Sequence, residues 1–442
     1  MDLSEHLFRR EAGRMVSALT RIFGVHNLSL AEDVVQDSLC RALEVWKFQG
    51  VPDNPAAWLM ATAKHRALDL LRRERTARVF APDLGRLLET EWSLAPTLAE
   101  LFAEHAIKDD LLRMMFTCCH PDLAEEAQIA LILNILCGFS VGETASAFLC
   151  SHAAMEKRLQ RAKAALATSH ALFDMKGSAA GVVARLGAVH RALYLLFNEG
   201  YHGAHPETAV RRELCVEAAR LGALLLEHPA SELPETYALC ALFCLHAARL
   251  PGRVDAAGHL GPLDERARAA WDRELIAQGL TLLDRSATGT RLSEYHVEAA
   301  IAAEHAAALS TADTNWAKVV ELYDLLFQLH PTPVIALSRA IALGQRDGAE
   351  RGLAALSAIS GRERLARYPF YFAALGELES RAGRPELACR HFEEALAVAR
   401  NPAERHFLEQ RLTAVQSERA GAENTPRPRA ATSPARPKPS PH

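Results

Sequence analysis

Between Ser29 and Arg78 the chain sets down an acidic segment with helical spacing, a tryptophan-bearing turn and a segment dense in arginine. That order requires two helices joined by a corner, one with a negative face and the next with a positive one. Ser29-x-x-Glu32 has the form of a capping box and predicts a helix start. Val35, Leu39, Ala42 and Trp46 then fall at i, i+4, i+7 and i+11 as one apolar stripe, leaving Asp33, Gln36, Asp37 and Glu44 off it. Asn54-Pro55 predicts the next start, with Asn as N-cap and Pro at the first helical position, where its missing N–H costs nothing. From there Leu59, Ala63, Ala67 and Leu70 point inward, while Lys64, Arg66, Arg72, Arg73 and Arg75 are displayed, with Arg78 just beyond. These cations do not share one narrow stripe, which suits phosphates along a bent or opened strand better than a single groove. Trp46 and Trp58 lie beside them, and aromatic faces next to cations can capture unstacked bases. Either ring by itself also suits a core.

Apolar residues recur at helical spacing through most of the chain, alanine and leucine abound, and the fold class expected is all-α. At 442 residues the chain exceeds one core, so several domains are expected. The balance of 50 Lys+Arg against 54 Asp+Glu, net −4, leaves any nucleic-acid binding to local patches. Nine scattered cysteines make no disulfide scaffold. Cys118-Cys119-His120 and Cys240-x-x-x-Cys244-x-His246 lack a second pair at metal-ligand spacing, so buried reduced thiols are expected, with no metal and no cofactor. The charged opening residues and the lack of a sufficiently long apolar run predict a cytoplasmic chain without a membrane partner.

Composition shifts divide the chain. Residues 1–80 form a helical block that ends basic, 81–105 read as a linker, and 106–175 form a second small helical block. From 178 to 415 runs an array of helix pairs with turn signals such as His228-Pro229, Leu250-Pro251-Gly252 and Gly383-Arg384-Pro385. Residues 418–442, with six prolines after Gly421, read as a disordered tail.

In the second block an apolar helix over 127–137, a short helix over 141–148, a three-residue turn and a longer helix over 152–166 have helix-turn-helix anatomy. At about 100° per residue, Met155, Leu159, Ala162 and Leu166 cluster within about 60° of one another. Ala154, Lys157, Arg158 and Arg161 share a face about 120° away, as a helix lying in a major groove requires. Ser151 is the expected N-cap, and an ordinary amphipathic helix would show the same two faces. In the long array Leu375-Gly376, Gly383, Ala388, Phe392 and Ala395 occupy the small and large positions of a 34-residue tetratricopeptide (TPR) helix pair. Tyr323 precedes Phe392 by 69 residues, about two such periods, and the pattern upstream is degenerate, hence TPR-like.

Residues 7–80, with A-E-D-V-V-Q-D, then W, then N-P-x-A-W-L and A-L-D-L-L-R-R, resemble region 2 of bacterial extracytoplasmic-function sigma factors of the sigma-70 family. Residues 111–166, with L-N-x-L-C-G-F-S and S-x-A-A-M-x-x-R-L-x-R-A-K, resemble region 4 of the same family. The resemblance implies that Asp33, Gln36, Asp37 and Arg41 face the β′ clamp helices of core RNA polymerase. It implies that Trp46, Asn54, Trp58, Lys64, Arg66, Arg72 and Arg73 hold the −10 promoter element. Ser151, His152, Ala154, Lys157, Arg158 and Arg161 would read the −35 element, with region 4 against the β flap. The part beyond residue 178 resembles the C-terminal extension of a sigma-factor subgroup in Leu193–Tyr201 and Ala299–His305, and departs from it at Arg266-Ala267, where relatives carry Gln-Asp.

The function this resemblance implies is a sigma factor that binds core polymerase, recognises both promoter elements, promotes melting and carries out no covalent chemistry. The array would act as an in-chain regulator, a polymerase contact or a surface for a further protein. A helical-repeat scaffold with no direct DNA role is the alternative. A helical enzyme using His202-x-x-His205 or Glu304-His305 is a further one, and neither cluster has a third ligand at useful spacing.

Overall fold

The computed structural model of the chain describes residues 2–23, 27–73, 109–120, 122–148, 150–168, 179–202, 210–253 and 268–423. Among them are eighteen α-helices and no strand, so the all-α expectation holds. The expected linker, residues 74–80, the Arg266-Ala267 departure and most of the proline-rich tail lie outside the described residues.

The first block is a three-helix bundle of α1 (Asp2–Phe23), α2 (Leu28–Gln49) and α3 (Pro55–Arg73). Its interior is Met15 and Leu19 from α1, Val35 and Ala42 from α2, and Leu59, Ala63 and Ala67 from α3. The expected capping box does not form. α2 begins at Leu28, so Ser29 already sits in its first turn. The N-cap residue Asn27 turns its side chain back to donate to the Phe23 carbonyl at 2.9 Å, closing α1 rather than opening α2. The corner after α2 is made by Gly50 at φ 78°, whose N–H donates to the Trp46 carbonyl at 3.0 Å. The Asn54 cap is as expected: its Oδ1 accepts from the Ala57 N–H at 3.1 Å.

The second block consists of α4 (Asp110–Cys118), α5 (Glu125–Leu131) with a π-helical continuation over Ile132–Leu136, α6 (Val141–Ala147) and α7 (His152–Thr168). Ser140 and Glu143 form a reciprocal capping box at the start of α6. Ser151 Oγ accepts from the Ala154 N–H at 3.3 Å, capping α7. The two blocks share a core rather than standing apart. α1 lies on α4 and on the π turn. A Cβ added at Gly13 would stand 2.0 Å from the Leu136 carbonyl oxygen, so the two backbones meet where only a glycine fits.

α8 (Ala179–His202) packs on α4, α5 and the π turn on one side and on α9 (Arg212–Glu227) and α10 (Pro234–Ala247) on the other. Arg185 on it donates to the Phe116 carbonyl at 3.2 Å. One hydrophobic core therefore runs from Met15 through Phe116 and Leu133 to Val189 and Phe243. Being covered on both sides, α8 is apolar nearly all round. Contrary to the expectation from the sequence, α8 is long and apolar enough to cross a membrane, with mean hydropathy 1.3, and half of that stretch is buried inside the protein.

A 3₁₀ turn (Leu250–Gly252) follows α10, and the array continues through α11 (Arg273–Ser286), α12 (Glu294–Ala307), α13 (Trp316–Leu329), α14 (Pro333–Asp347) and α15 (Ala349–Ser357). It ends with α16 (Pro369–Arg381), α17 (Pro385–Ala397) and α18 (Pro402–Glu423), consecutive helices packing on one another from α12 to α18. Proline stands at the first helical position of α10, α14, α16 and α17. The segment expected to be TPR-like forms the helix pair α16 and α17: a Cβ on Gly376 would touch the Phe392 ring at 3.0 Å, and Gly383 makes the turn at φ 74°. α18 carries helix to Glu423, beyond the boundary expected near residue 415. Its Ala403 and Phe407 pack against Val210, bringing the far end of the array back to the segment after α8.

Candidate nucleic-acid interface

On α2 the side chains of Asp33, Gln36, Asp37, Arg41 and Glu44 are all exposed along one side of the helix. Three of them are held in ion pairs. Arg41 meets Glu44 at 3.0 Å, and Asp37 accepts from Arg66 of α3 at 2.7 and 2.8 Å. Arg66, expected to grip a DNA strand, is thus tied to a residue expected to face polymerase. Glu32, at the border of this face, reaches Lys163 of α7 at 2.7 Å.

The turn between α2 and α3 corrects one expectation. Trp46 is 8 % exposed, its ring lying 5.4 Å from Phe8 and 5.5 Å from Trp58, so it supports the corner from inside instead of offering a face to a base. The exposed apolar residues of this corner are Phe48 and Val51, 84 % and 62 % exposed. Lys47 stands 5.8 Å from the Phe48 ring centre. The signal was present: Phe48 lies about 200° round the helix from Trp46, on the opposite side from the stripe. Trp58 and Lys64 are half-buried, Asn54 is exposed and engaged as a cap, and the side chains of Arg72 and Arg73 lie outside the described residues.

α7 has the two faces expected of it. Met155, Leu159, Ala162 and Leu166 are buried, and Ser151, His152, Ala154, Lys157 and Arg161 are exposed. Arg158 is half-buried, paired with Glu126 at 2.8 Å and lying over Phe148 at 5.5 Å. α7 therefore presents a cationic outer face with its N-terminal turn open to solvent, the form in which a helix enters a major groove.

Between the blocks and the array sits a buried ion cluster that sequence reasoning missed, because its members are 68 and 134 residues apart. Glu143 of α6 accepts from Arg211, just before α9, at 2.6 Å and from Arg9 of α1 at 3.1 Å, and Arg211 also meets Glu199 of α8 at 2.6 Å. The Glu143, Arg211 and Glu199 side chains are at most 8 % exposed. Burial alone would raise the Glu143 carboxyl, but Arg9, the Ser140 N–H and Arg211 hold it down at about 2. One carboxylate thus joins the first block, the helix-turn-helix and the array.

The cysteines are all free. Burial pushes the Cys118 and Cys240 thiols up to about 12, leaving them unreactive. Among the described residues no group of three or more His, Cys, Asp and Glu is placed to hold a metal.

Residues 7–77 match sigma-70 region 2, and residues 113–166 match sigma-70 region 4. Over 407 residues the chain is 38 % identical to an uncharacterized protein of Rhizobium meliloti (strain 1021), covering 92 % of this chain and 94 % of that one. The chain belongs to the sigma-70 family. It is an extracytoplasmic-function-like member with a C-terminal extension, of which residues 185–287 match a family of unknown function (DUF6596). Its role is that of a sigma factor in transcription initiation, its partners are core RNA polymerase and promoter DNA, and its family consists of initiation factors rather than enzymes.

Proposed function

We propose that region 2, residues 1–80, holds the β′ clamp helices of polymerase through Asp33, Gln36, Asp37 and Arg41. It takes the −10 strand on Lys64, Arg66, Arg72 and Arg73, with Asn54 and Trp58 shaping the corner from which Phe48 stacks on an unstacked base and promotes melting. Region 4, residues 106–175, rests on the β flap and reads the −35 element with Ser151, His152, Ala154, Lys157, Arg158 and Arg161. The carrying observation is the pairing of an exposed carboxylate-bearing face on α2 with a separate exposed cationic face on α7.

The array, residues 178–415, acts in this reading as an in-chain regulator. Its support is the continuous core joining α1, α4, the π turn and α8, together with the Arg9–Glu143–Arg211 cluster. In that compact form the two DNA-reading faces are fixed relative to each other, and Arg66 and Asp37 satisfy each other. Promoter engagement then requires region 2 to part from region 4 and the Arg66–Asp37 pair to open.

The test is core-polymerase binding by the full chain, followed by run-off transcription from a template carrying its own upstream region. Wild-type chain is expected to bind and to direct a discrete transcript. Lys157→Ala with Arg161→Ala is expected to retain polymerase binding and lose the transcript. A chain that binds no core enzyme, or a double variant that transcribes as well as wild type, refutes the reading. The latter result would favour a scaffold without a DNA role.

A further inference from the structure

Within the array, α8, α10, α12, α13 and α14 surround a cavity of about 310 Å³, far from α2 and α7 in the chain and made by none of their residues. Its size falls at the lower end of small-molecule sites, about 300–1,000 Å³. One wall is apolar, with Ile301, Leu326 and Ile335, and the other carries His246, Arg249 and His305.

Arg249 is the charged donor of the polar wall, and Arg268 stands behind it across the Trp271 ring. Arg249 and Arg268 both lie over the Trp271 ring, at 5.1 and 5.0 Å, and they repel each other. Arg268 donates to the His305 and Ala308 carbonyls at 2.7 and 3.0 Å, so it closes the end of α12. Among the described residues the Nε atoms of Arg249 and Arg268 and Nδ1 of His246 are buried without a hydrogen-bond partner. Arg249 and His246 both line the cavity, and buried polar groups left unpaired there are costly unless a ligand completes them.

Asp313 offsets Arg268, while Arg249 shares the cavity with His246, His305 and Glu298. Burial first, then the nearby arginines, lowers His246 to about 3 and His305 to about 4, so both are neutral donors or acceptors near neutral pH. Glu298, which accepts from Tyr194 at 3.1 Å, is pushed by burial up to about 7 and carries only part of a charge.

We infer that this cavity binds a small amphipathic organic anion, its carboxylate or phosphate on Arg249 and His246 and its apolar body against Ile301, Leu326 and Ile335. The array is then a ligand-sensing domain carried by the sigma factor. The inference stands apart from the promoter reading, because binding is measured on the full chain without polymerase or DNA.

The probes are benzoate, hexanoate and phenyl phosphate, with benzamide as the neutral isostere of benzoate, followed by calorimetry and thermal shift. At least one anion is expected to bind saturably and raise the melting temperature, and benzamide is expected to do neither. Arg249→Met keeps an unbranched apolar side chain of similar length beside Trp271 and is expected to weaken the anion by about tenfold or more, the loss of a charge-assisted contact. Ser338→Leu, which narrows the cavity from α14, is expected to weaken binding without touching the cation, and it serves if the Arg249 variant does not fold. No saturable binding by any of the three anions up to about 10 mM, beyond the weak end of specific affinity, overturns the inference. So does equal binding of benzamide, or full affinity in both variants. Carboxylate and phosphate sources are separated by whether benzoate or phenyl phosphate binds more tightly.

Discussion

Replacing Glu143 by Gln removes the charge that joins region 2, region 4 and the array while leaving a side chain able to complete the α6 cap. Two independent routes give the size of the effect. A carboxyl that ordinarily titrates near 4.5 and is held at about 2 by its partners contributes about 3 kcal/mol at neutral pH. Removing one partner of a buried ion pair costs about 3–5 kcal/mol, because the remaining charges stay buried and uncompensated. Arg211 keeps Glu199 in the variant, so the lower figure is expected. The folded value lies below the unfolded one, so this contribution is complete above about pH 4.5 and is lost as the pH falls towards 2. Urea unfolding of wild type and Glu143→Gln should therefore differ by about 3 kcal/mol at pH 7, and the gap should narrow steadily below pH 4.5. Small-angle scattering of the variant at neutral pH should show a larger radius of gyration as the blocks part. A gap under about 0.5 kcal/mol at pH 7, within the range of ordinary surface changes, would refute the reasoning. A gap that does not depend on pH would refute the electrostatic part of it.

Gly13→Val should force α1 off the π turn, since its Cβ would lie 2.0 Å from the Leu136 oxygen. A loss of at least about 3 kcal/mol or a failure to accumulate soluble chain is expected, and unchanged unfolding would mean the blocks do not meet there. Phe48→Ala should leave polymerase binding intact and reduce promoter opening, read by permanganate footprinting; equal opening would remove Phe48 from the DNA interface. Arg66→Gln frees Asp37 from its partner, and with the pair half-exposed, stability should change by at most about 1 kcal/mol while transcription falls. A larger stability loss with normal transcription would reverse that assignment.

Features set by near neighbours were legible in the sequence itself. Asn54 and Ser151 cap because a cap depends on three residues, and the two faces of α7 follow from 3.6-residue spacing alone. What failed were readings in which a distant or competing partner decides. Ser29 had the right neighbour at Glu32, but Asn27 closed α1 first and Glu32 was drawn to Lys163. Trp46 and Phe48 are both aromatic and two residues apart, and only packing against Phe8 and Trp58 tells the core ring from the exposed one. The Arg9–Glu143–Arg211 cluster and the Arg249–Arg268 pair had no signature at all, since their members meet only after helices from different segments have packed.

The two-sided burial of α8 bears on how the factor is made. A ribosome releases the promoter-reading half first, with Phe116 and Leu133 still lacking the helix that will cover them. Those residues are shielded only once α8 has been synthesised, so a chain interrupted near residue 168 should be a sticky fragment rather than a small working factor. Competence to start transcription would then arrive only with translation well past the DNA-binding segments, and truncated products would be removed before they could occupy polymerase.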